Sequence, residues 1–110
     1  MLKRITCELD NLGMSNKIRG YAFCRSAIEK IASCGWEISI DSIYDFVAQK
    51  YNTNKSCVER NIRYAVERTW EVGDIDRIFD VFGYTVRNDK GKPTNSEFLF
   101  MLADRVNLTE

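Results

Sequence analysis

A short stretch near the middle of the chain, VERNIRYAVER, concentrates charged and aromatic side chains. Glu59, Arg60 and Arg63 lie within five residues, and Tyr64 follows them directly. An arginine can donate two hydrogen bonds to O6 and N7 of guanine, and a glutamate can accept one from N4 of cytosine. Side chains of these types, held on one face of a helix, could contact the edges of base pairs in a major groove.

The same stretch has the periodicity of an amphipathic helix over residues 55–72. Successive side chains of a helix are about 100° apart, which separates the apolar residues from the charged ones. The inner face contains Val58, Ile62, Ala65 and Thr69. The outer face contains Ser56, Glu59, Arg60, Arg63 and Glu67, with Tyr64 at its edge. The pattern therefore predicts that the charged side chains are exposed together.

The charge of the chain is polarised although its sum is zero, with 16 basic and 16 acidic residues. Residues 50–68 contain five basic side chains and two acidic ones. Lys55 and Ser56 lie at the predicted helix start, where backbone N–H groups can hold a phosphate, and Arg68 adds a positive charge further along. Acidic residues gather later in the chain. A basic face of this kind suits DNA.

The preceding residues, 41–51, predict another helix, and NTN separates the two. Ala48 lies on the inner side of this helix, and Asn52, four residues on, can adopt a positive φ. Such a helix–turn–helix unit is typical of proteins whose second helix enters the major groove. The same geometry occurs in bundles that do not bind DNA, and an ion pair between Glu59 and Arg63 stabilises any exposed helix. The pattern alone leaves both interpretations open.

Helical periodicity continues along nearly the whole chain and predicts six helices. The first ends before Gly13, and the second begins after a cap at Ser15 or Asn16 and runs to residue 34. Asp74 caps the fifth helix, which Gly83 ends before a long loop at 84–93. A capping box of Thr94 and Glu97 opens the sixth, which runs to about residue 106. The predicted fold class is all-α: one six-helix domain over residues 1–110, with a helix-turn-helix in its third and fourth helices. The second helix is apolar on several sides and is predicted to be central.

The composition argues against enzyme chemistry and against a metal site. The chain has no histidine, which excludes Ser–His and Cys–His pairs, and it has no glycine-rich phosphate loop. Its four cysteines form no CxxC pair, and three of them are expected to be small buried hydrophobes. We predict no cofactor. With neither a long apolar run nor a signal peptide, we expect no membrane association and a cytoplasmic location.

The segments VERNIRYAVERTWEVGDID, FGYTV and KPTNSEF resemble the C-terminal effector domain of the sporulation stage-zero response regulator family. The likeness covers nearly the whole chain and is densest over residues 51–104. It implies a six-helix domain that binds short promoter boxes in double-stranded DNA, often as tandem dimers. The base-contacting positions that it implies are Glu59, Arg60, Arg63 and Tyr64, and the phosphate-contacting ones are Lys55, Ser56 and Arg68.

The resemblance also implies a second partner, the sigma subunit of RNA polymerase, contacted through the fifth helix. The matching positions here are Asp74, Asp76, Arg77 and Asp80. Two departures from the family, Tyr64 in place of histidine and Asn61 in place of alanine, predict a different box preference.

The family's receiver domain has no counterpart in these 110 residues, so the chain is either an excised domain or a stand-alone relative. We expect a monomer or weak dimer in free solution, with a homodimer induced by DNA. We predict that the dimer contact is formed by apolar side chains of the sixth helix, which carries more apolar surface than one face can bury. The alternative is that these side chains simply fill the core. They are Phe98, Phe100, Met101 and Leu102.

One rival function remains at this point: a protein–protein interaction module of the same fold that binds RNA polymerase or another regulator without contacting DNA. Such a module has no need of Arg60 and Arg63 together.

Overall fold

The computed structural model describes residues 1–34, 37–82 and 92–109, and within these ranges it contains six helices and no strand. This confirms the predicted all-α class. The helices are α1 (Leu2–Leu12), α2 (Arg19–Cys34), α3 (Ile40–Lys50), α4 (Lys55–Val72), α5 (Ile75–Phe82) and α6 (Asn95–Thr109). Within the described ranges, no helix combines the length and the apolar character that crossing a membrane requires.

The central element is α2, which packs against α1, α3, α4 and α6 and so confirms the prediction from its pattern. Apolar side chains on several sides of α2 are buried, and the large ones, Phe23, Ile28 and Ile31, each contribute about 1.5–3 kcal/mol of transfer free energy. The crossing with α4 is very close at Gly20. A Cβ atom there would lie 2.2 Å from the carbonyl oxygen of Asn61, so only glycine fits without moving α4.

The turn between α3 and α4 has the geometry that the asparagine-rich sequence predicts. Asn52 has a φ of 55°, as expected for a turn residue that tolerates the left-handed region. The side-chain oxygen of Asn54 accepts from the N–H of Cys57 at 2.8 Å and caps α4. The backbone N–H of Thr53 donates to the carbonyl of Ala48 at 2.8 Å, which closes α3. The two helices are thus joined by a tight, fully specified connection.

The ends of α4, α5 and α6 also follow local sequence. Gly73 ends α4 in an extended conformation, and a Cβ atom there would lie 2.4 Å from the carbonyl oxygen of Leu12. The carboxylate of Asp74 accepts from the N–H of Arg77 at 3.2 Å and caps α5. The predicted capping box is present. The N–H of Thr94 donates to Glu97 at 2.9 Å, and the N–H of Glu97 donates to the Thr94 hydroxyl at 3.1 Å.

Several predicted boundaries were wrong by a few residues. The second helix begins at Arg19, because the hydroxyl of Ser15 accepts from the N–H of Lys17 and caps a separate turn instead. The third is shifted one residue earlier, since Ser39 caps it. The sixth continues three residues beyond its predicted end. The predicted stop at Gly83 and residues 84–91 of the predicted loop lie outside the described residues.

The prediction that three of the four cysteines are buried was wrong. Only Cys24 is buried, and burial raises the pKa of its thiol; Cys57 is half-buried, and Cys7 and Cys34 are exposed. Cys7 lies on the side of α1 opposite Ile5, which the 200° between residues two apart in a helix requires. All four thiols are free.

Candidate nucleic-acid interface

The two faces of α4 lie where their periodicity predicts. Val58, Ile62 and Ala65 have no exposed surface, and Thr69 is only 1% exposed. The opposite side, which we call the α4 face, is solvent-accessible: Ser56, Arg60, Arg63, Tyr64, Glu67 and Arg68 are exposed, and Glu59 is half-buried. Tyr64 is 55% exposed, so much of this aromatic side chain is accessible to a ligand.

Among the described residues, Arg60 and Arg63 make weak, exposed contacts within their own helix. Arg63 Nη2 lies 3.4 Å from Glu59 Oε1, and Arg60 Nε donates to the carbonyl of Ser56 at 3.3 Å. A guanidinium has five N–H donors, so each arginine keeps most of them for another acceptor. Exposed pairs of this kind contribute about 0.2–1 kcal/mol, and a base edge can replace them at little cost.

The start of α4 offers groups suited to a phosphate. The first turn of a helix has N–H groups without intrahelical partners, and the exposed hydroxyl of Ser56 lies beside them. Lys55 Nζ lies 3.2 Å from Asp41 Oδ2 in an exposed ion pair. Arg68 is exposed about 12 Å further along the helix than Arg60. The basic groups therefore extend along α4.

The four positions on α5 and at its cap separate into two sets. Asp74, Asp76 and Asp80 are exposed. Arg77 is half-buried, and its Nη2 lies 3.7 Å from Glu8 Oε1. The exposed part of this helix is thus acidic, while its arginine turns inward.

Arg77 belongs to a buried ionic arrangement that the sequence pattern did not reveal, which we call the Glu8 cluster. Glu8 is 2% exposed, and Arg105 Nε and Arg4 Nη2 lie 2.9 Å and 3.2 Å from its carboxylate. The cluster joins α1, α5 and α6. The available signal was a carboxylate on the apolar stripe of α1, three residues from Ile5.

A second unpredicted group lies behind the α4 face. The side-chain nitrogen of Asn95 donates to the hydroxyl of Tyr44 and to the backbone carbonyl of Glu59, both at 3.1 Å. Asn95 and Tyr44 are both 8% exposed. Burial raises the pKa of Tyr44, so its hydroxyl stays protonated at neutral pH. Only the capping residues around Asn95 were recognisable from the sequence.

Among the described side chains, no group of three or more His, Cys, Asp or Glu residues is arranged to hold a metal ion. Over its described residues the chain is an all-α domain of six helices, in which α4 follows α3 through a four-residue connection and exposes Arg60, Arg63 and Arg68. Residues 5–106 match the family described as "Sporulation initiation factor Spo0A C terminal", and the chain belongs to this family. The match confirms the resemblance noted in the sequence. It places the chain among DNA-binding regulator domains of sporulation initiation rather than among enzymes, with double-stranded DNA as its partner.

Proposed function

We propose that this domain binds a specific DNA sequence by placing the N-terminal half of α4 in the major groove. One observation carries the proposal: Arg60 and Arg63 are exposed together on the side of α4 opposite the fully buried Val58 and Ile62. A helix anchored on one side with two unburied guanidiniums on the other has the form that base recognition requires.

The base contacts are assigned to four side chains of the α4 face. Arg60 and Arg63 each donate to a guanine, and Glu59 accepts from a cytosine amino group once Arg63 has exchanged it for a base. Tyr64 contacts a thymine methyl group with its ring or a phosphate with its hydroxyl. Its position at the edge of the face suits a contact at the end of the site.

The phosphate contacts are assigned to Lys55, Ser56 and Arg68. The ion pair of Lys55 with Asp41 is exposed on both sides, with 49% and 75% of the side chains accessible, so a phosphate can displace the carboxylate. Contacts of this type fix the position of α4 on the duplex without distinguishing sequences.

We further propose that α5 contacts the sigma subunit of RNA polymerase. The exposed carboxylates of Asp74, Asp76 and Asp80 form an acidic surface for a basic partner. Arg77, assigned to the same contact from the resemblance, is half-buried against Glu8 and contributes through the part of its side chain that remains accessible.

The assembly on DNA is proposed to be a homodimer that forms when two boxes lie side by side. Phe98 and Leu102 of α6 are buried in the core, while Phe100 and Met101 are half-buried and pack against it. Little apolar surface therefore remains on these four side chains to hold a dimer without DNA. We expect sedimentation of the free protein at micromolar concentration to show a monomer or a weak dimer; a tight dimer insensitive to salt would contradict this.

The experiment that tests DNA recognition is selection from a random duplex library, followed by fluorescence anisotropy with the recovered sequence and with an unrelated duplex of equal length. We expect the wild-type protein to prefer the recovered sequence and the double variant Arg60→Ala/Arg63→Ala to lose that preference. Lys3→Ala removes an exposed positive charge from α1 and serves as the control. A protein that recovers no preferred sequence would support the rival function, an interaction module that binds a regulator without DNA recognition.

A further inference from the structure

Asn95 connects the start of α6 to the helix that is proposed to recognise DNA. Its side-chain nitrogen donates to the backbone carbonyl of Glu59, one of the residues assigned to a base contact, at 3.1 Å. The same nitrogen donates its other hydrogen to the hydroxyl of Tyr44 on α3, also at 3.1 Å. One amide group therefore joins α6 to both helices of the helix–turn–helix unit, directly behind the α4 face.

We propose that Asn95 is a positioning residue for sequence recognition: it sets the depth and rotation of α4 relative to α3 and thereby the base contacts of Glu59 and Arg63. The proposal rests on the proposed function of α4. The carbonyl of Glu59 also accepts the helical hydrogen bond from the N–H of Arg63, and a carbonyl oxygen has a second lone pair for Asn95.

The residue type matches this role. A primary amide has two N–H donors on a single nitrogen, and both acceptors lie within reach of Asn95. An aspartate would place a carboxylate oxygen against the carbonyl of Glu59, and the two acceptors would repel each other. Burial raises the pKa of Tyr44, so its hydroxyl is protonated. The oxygen of this hydroxyl still has lone pairs that accept the second hydrogen bond from Asn95.

The anchor itself is rigid. Asn95 directly follows Thr94, whose reciprocal hydrogen bonds with Glu97 hold the first turn of α6. Pro93 is buried and restricts the backbone that enters this turn. The backbone at Asn95 is thus fixed by the cap of its own helix, α6, as a positioning residue requires.

A small displacement of α4 has different consequences for its two kinds of DNA contact. Hydrogen bonds to base edges weaken steeply outside donor–acceptor distances of about 2.7–3.2 Å. Phosphate contacts depend mainly on charge and tolerate movement. Loss of the Asn95 anchor is therefore expected to lower the affinity for the preferred sequence while leaving non-specific affinity intact.

The test compares Asn95→Asp with Tyr21→Phe. Tyr21 is 5% exposed, and its hydroxyl donates to Asp10 at 2.8 Å between α2 and α1. Its replacement removes a hydrogen bond that does not involve α4. Each protein is titrated by anisotropy with the duplex recovered by the wild type and with an unrelated duplex, over a series of salt concentrations. Asn95→Ala, which removes both donors without adding charge, carries the test if circular dichroism shows that Asn95→Asp is unfolded.

We expect the Asn95 variant to lower the ratio of specific to non-specific affinity about tenfold, the effect of losing one base contact. The salt dependence of non-specific binding should stay the same, and Tyr21→Phe should leave the ratio unchanged. An unchanged ratio in a folded Asn95 variant overturns the inference alone, provided that Arg60→Ala/Arg63→Ala still lowers it. Failure of the wild type to prefer any duplex overturns the proposed function together with this inference.

Discussion

Two groups of arginines in this domain differ in what surrounds them. Arg60 and Arg63 are exposed, and each makes a weak contact within α4. The arginines of the Glu8 cluster converge on one carboxylate that is 2% exposed, and they come from three different helices. The side-chain chemistry is the same in both places.

The comparison shows that burial of the partner decides what an arginine does. An exposed ion pair contributes about 0.2–1 kcal/mol, so its members can exchange partners. Removing one member of a buried pair costs about 3–5 kcal/mol, because the remaining charge lacks compensation. We therefore expect loss of one member of the Glu8 cluster to destabilise the packing of α1, α5 and α6, whereas the α4 face stays accessible to a ligand.

The largest expected effect concerns the side chains that hold the α4 face outward. Ile62 is fully buried, and Ile62→Ala should lower the free energy of unfolding by about 2–5 kcal/mol, as core truncations do. Urea denaturation followed by circular dichroism measures this. An unchanged urea transition would mean that α4 faces the opposite way. The contrast between the two groups of arginines would then no longer hold.

The next effect concerns the buried carboxylate. Glu8→Ala should lower the free energy of unfolding by about 3 kcal/mol, near the bottom of the range for broken buried pairs because the guanidiniums keep some contact with water. Glu67→Ala removes an exposed carboxylate from α4 and should change it by no more than about 0.5 kcal/mol. Equal losses in the two variants would show that the Glu8 cluster is not a stabilising element.

A third prediction contrasts one arginine from each group. Arg63→Ala should cost about 1–3 kcal/mol of specific DNA binding and change the unfolding free energy by no more than about 0.5 kcal/mol. Arg105→Ala should lower the unfolding free energy by about 1.5–3 kcal/mol, the range for hydrogen bonds to charged groups, with little effect on binding. Anisotropy and urea denaturation on both variants measure the contrast. If both variants lost DNA binding and stability to the same extent, the two groups of arginines would not differ in role.

A fourth prediction separates two roles within the α4 face. Arg68→Ala should weaken binding to preferred and unrelated duplexes alike and reduce the slope of log K against log salt by about 1, as expected for a phosphate contact. Titrations over a salt series give the slope. A loss of affinity for the preferred duplex alone would instead indicate that Arg68 contacts a base.

The smallest expected effect is the coupling between Glu59 and Arg63. Their i,i+4 ion pair is solvent-accessible, with 61% of the Arg63 side chain and 45% of the Glu59 side chain exposed, so a double-mutant cycle on stability should give a coupling of about 0.3–0.5 kcal/mol. A coupling several times larger would indicate a fixed pair that resists exchange with DNA bases.

Most of the helices were predictable because their limits depend on nearby residues. Gly13 adopts the left-handed conformation after α1, Asn54 caps α4, and the Thr94–Glu97 box opens α6. The errors arose where local options competed. Ser15 can cap a turn as well as a helix, and only the structure shows that it caps the turn. A cysteine near apolar residues fits either a buried or an exposed position.

The sequence by itself determined the helical class, the turn at Asn52 and the two faces of α4, because helical periodicity and capping act over only a few residues. Only the tertiary structure decided which arginines are held by a buried carboxylate. Arg105 reaches Glu8 from 97 residues away, and Asn95 reaches the carbonyl of Glu59 from 36 residues away. Contacts of that separation depend on how whole helices pack, and no local pattern records the packing.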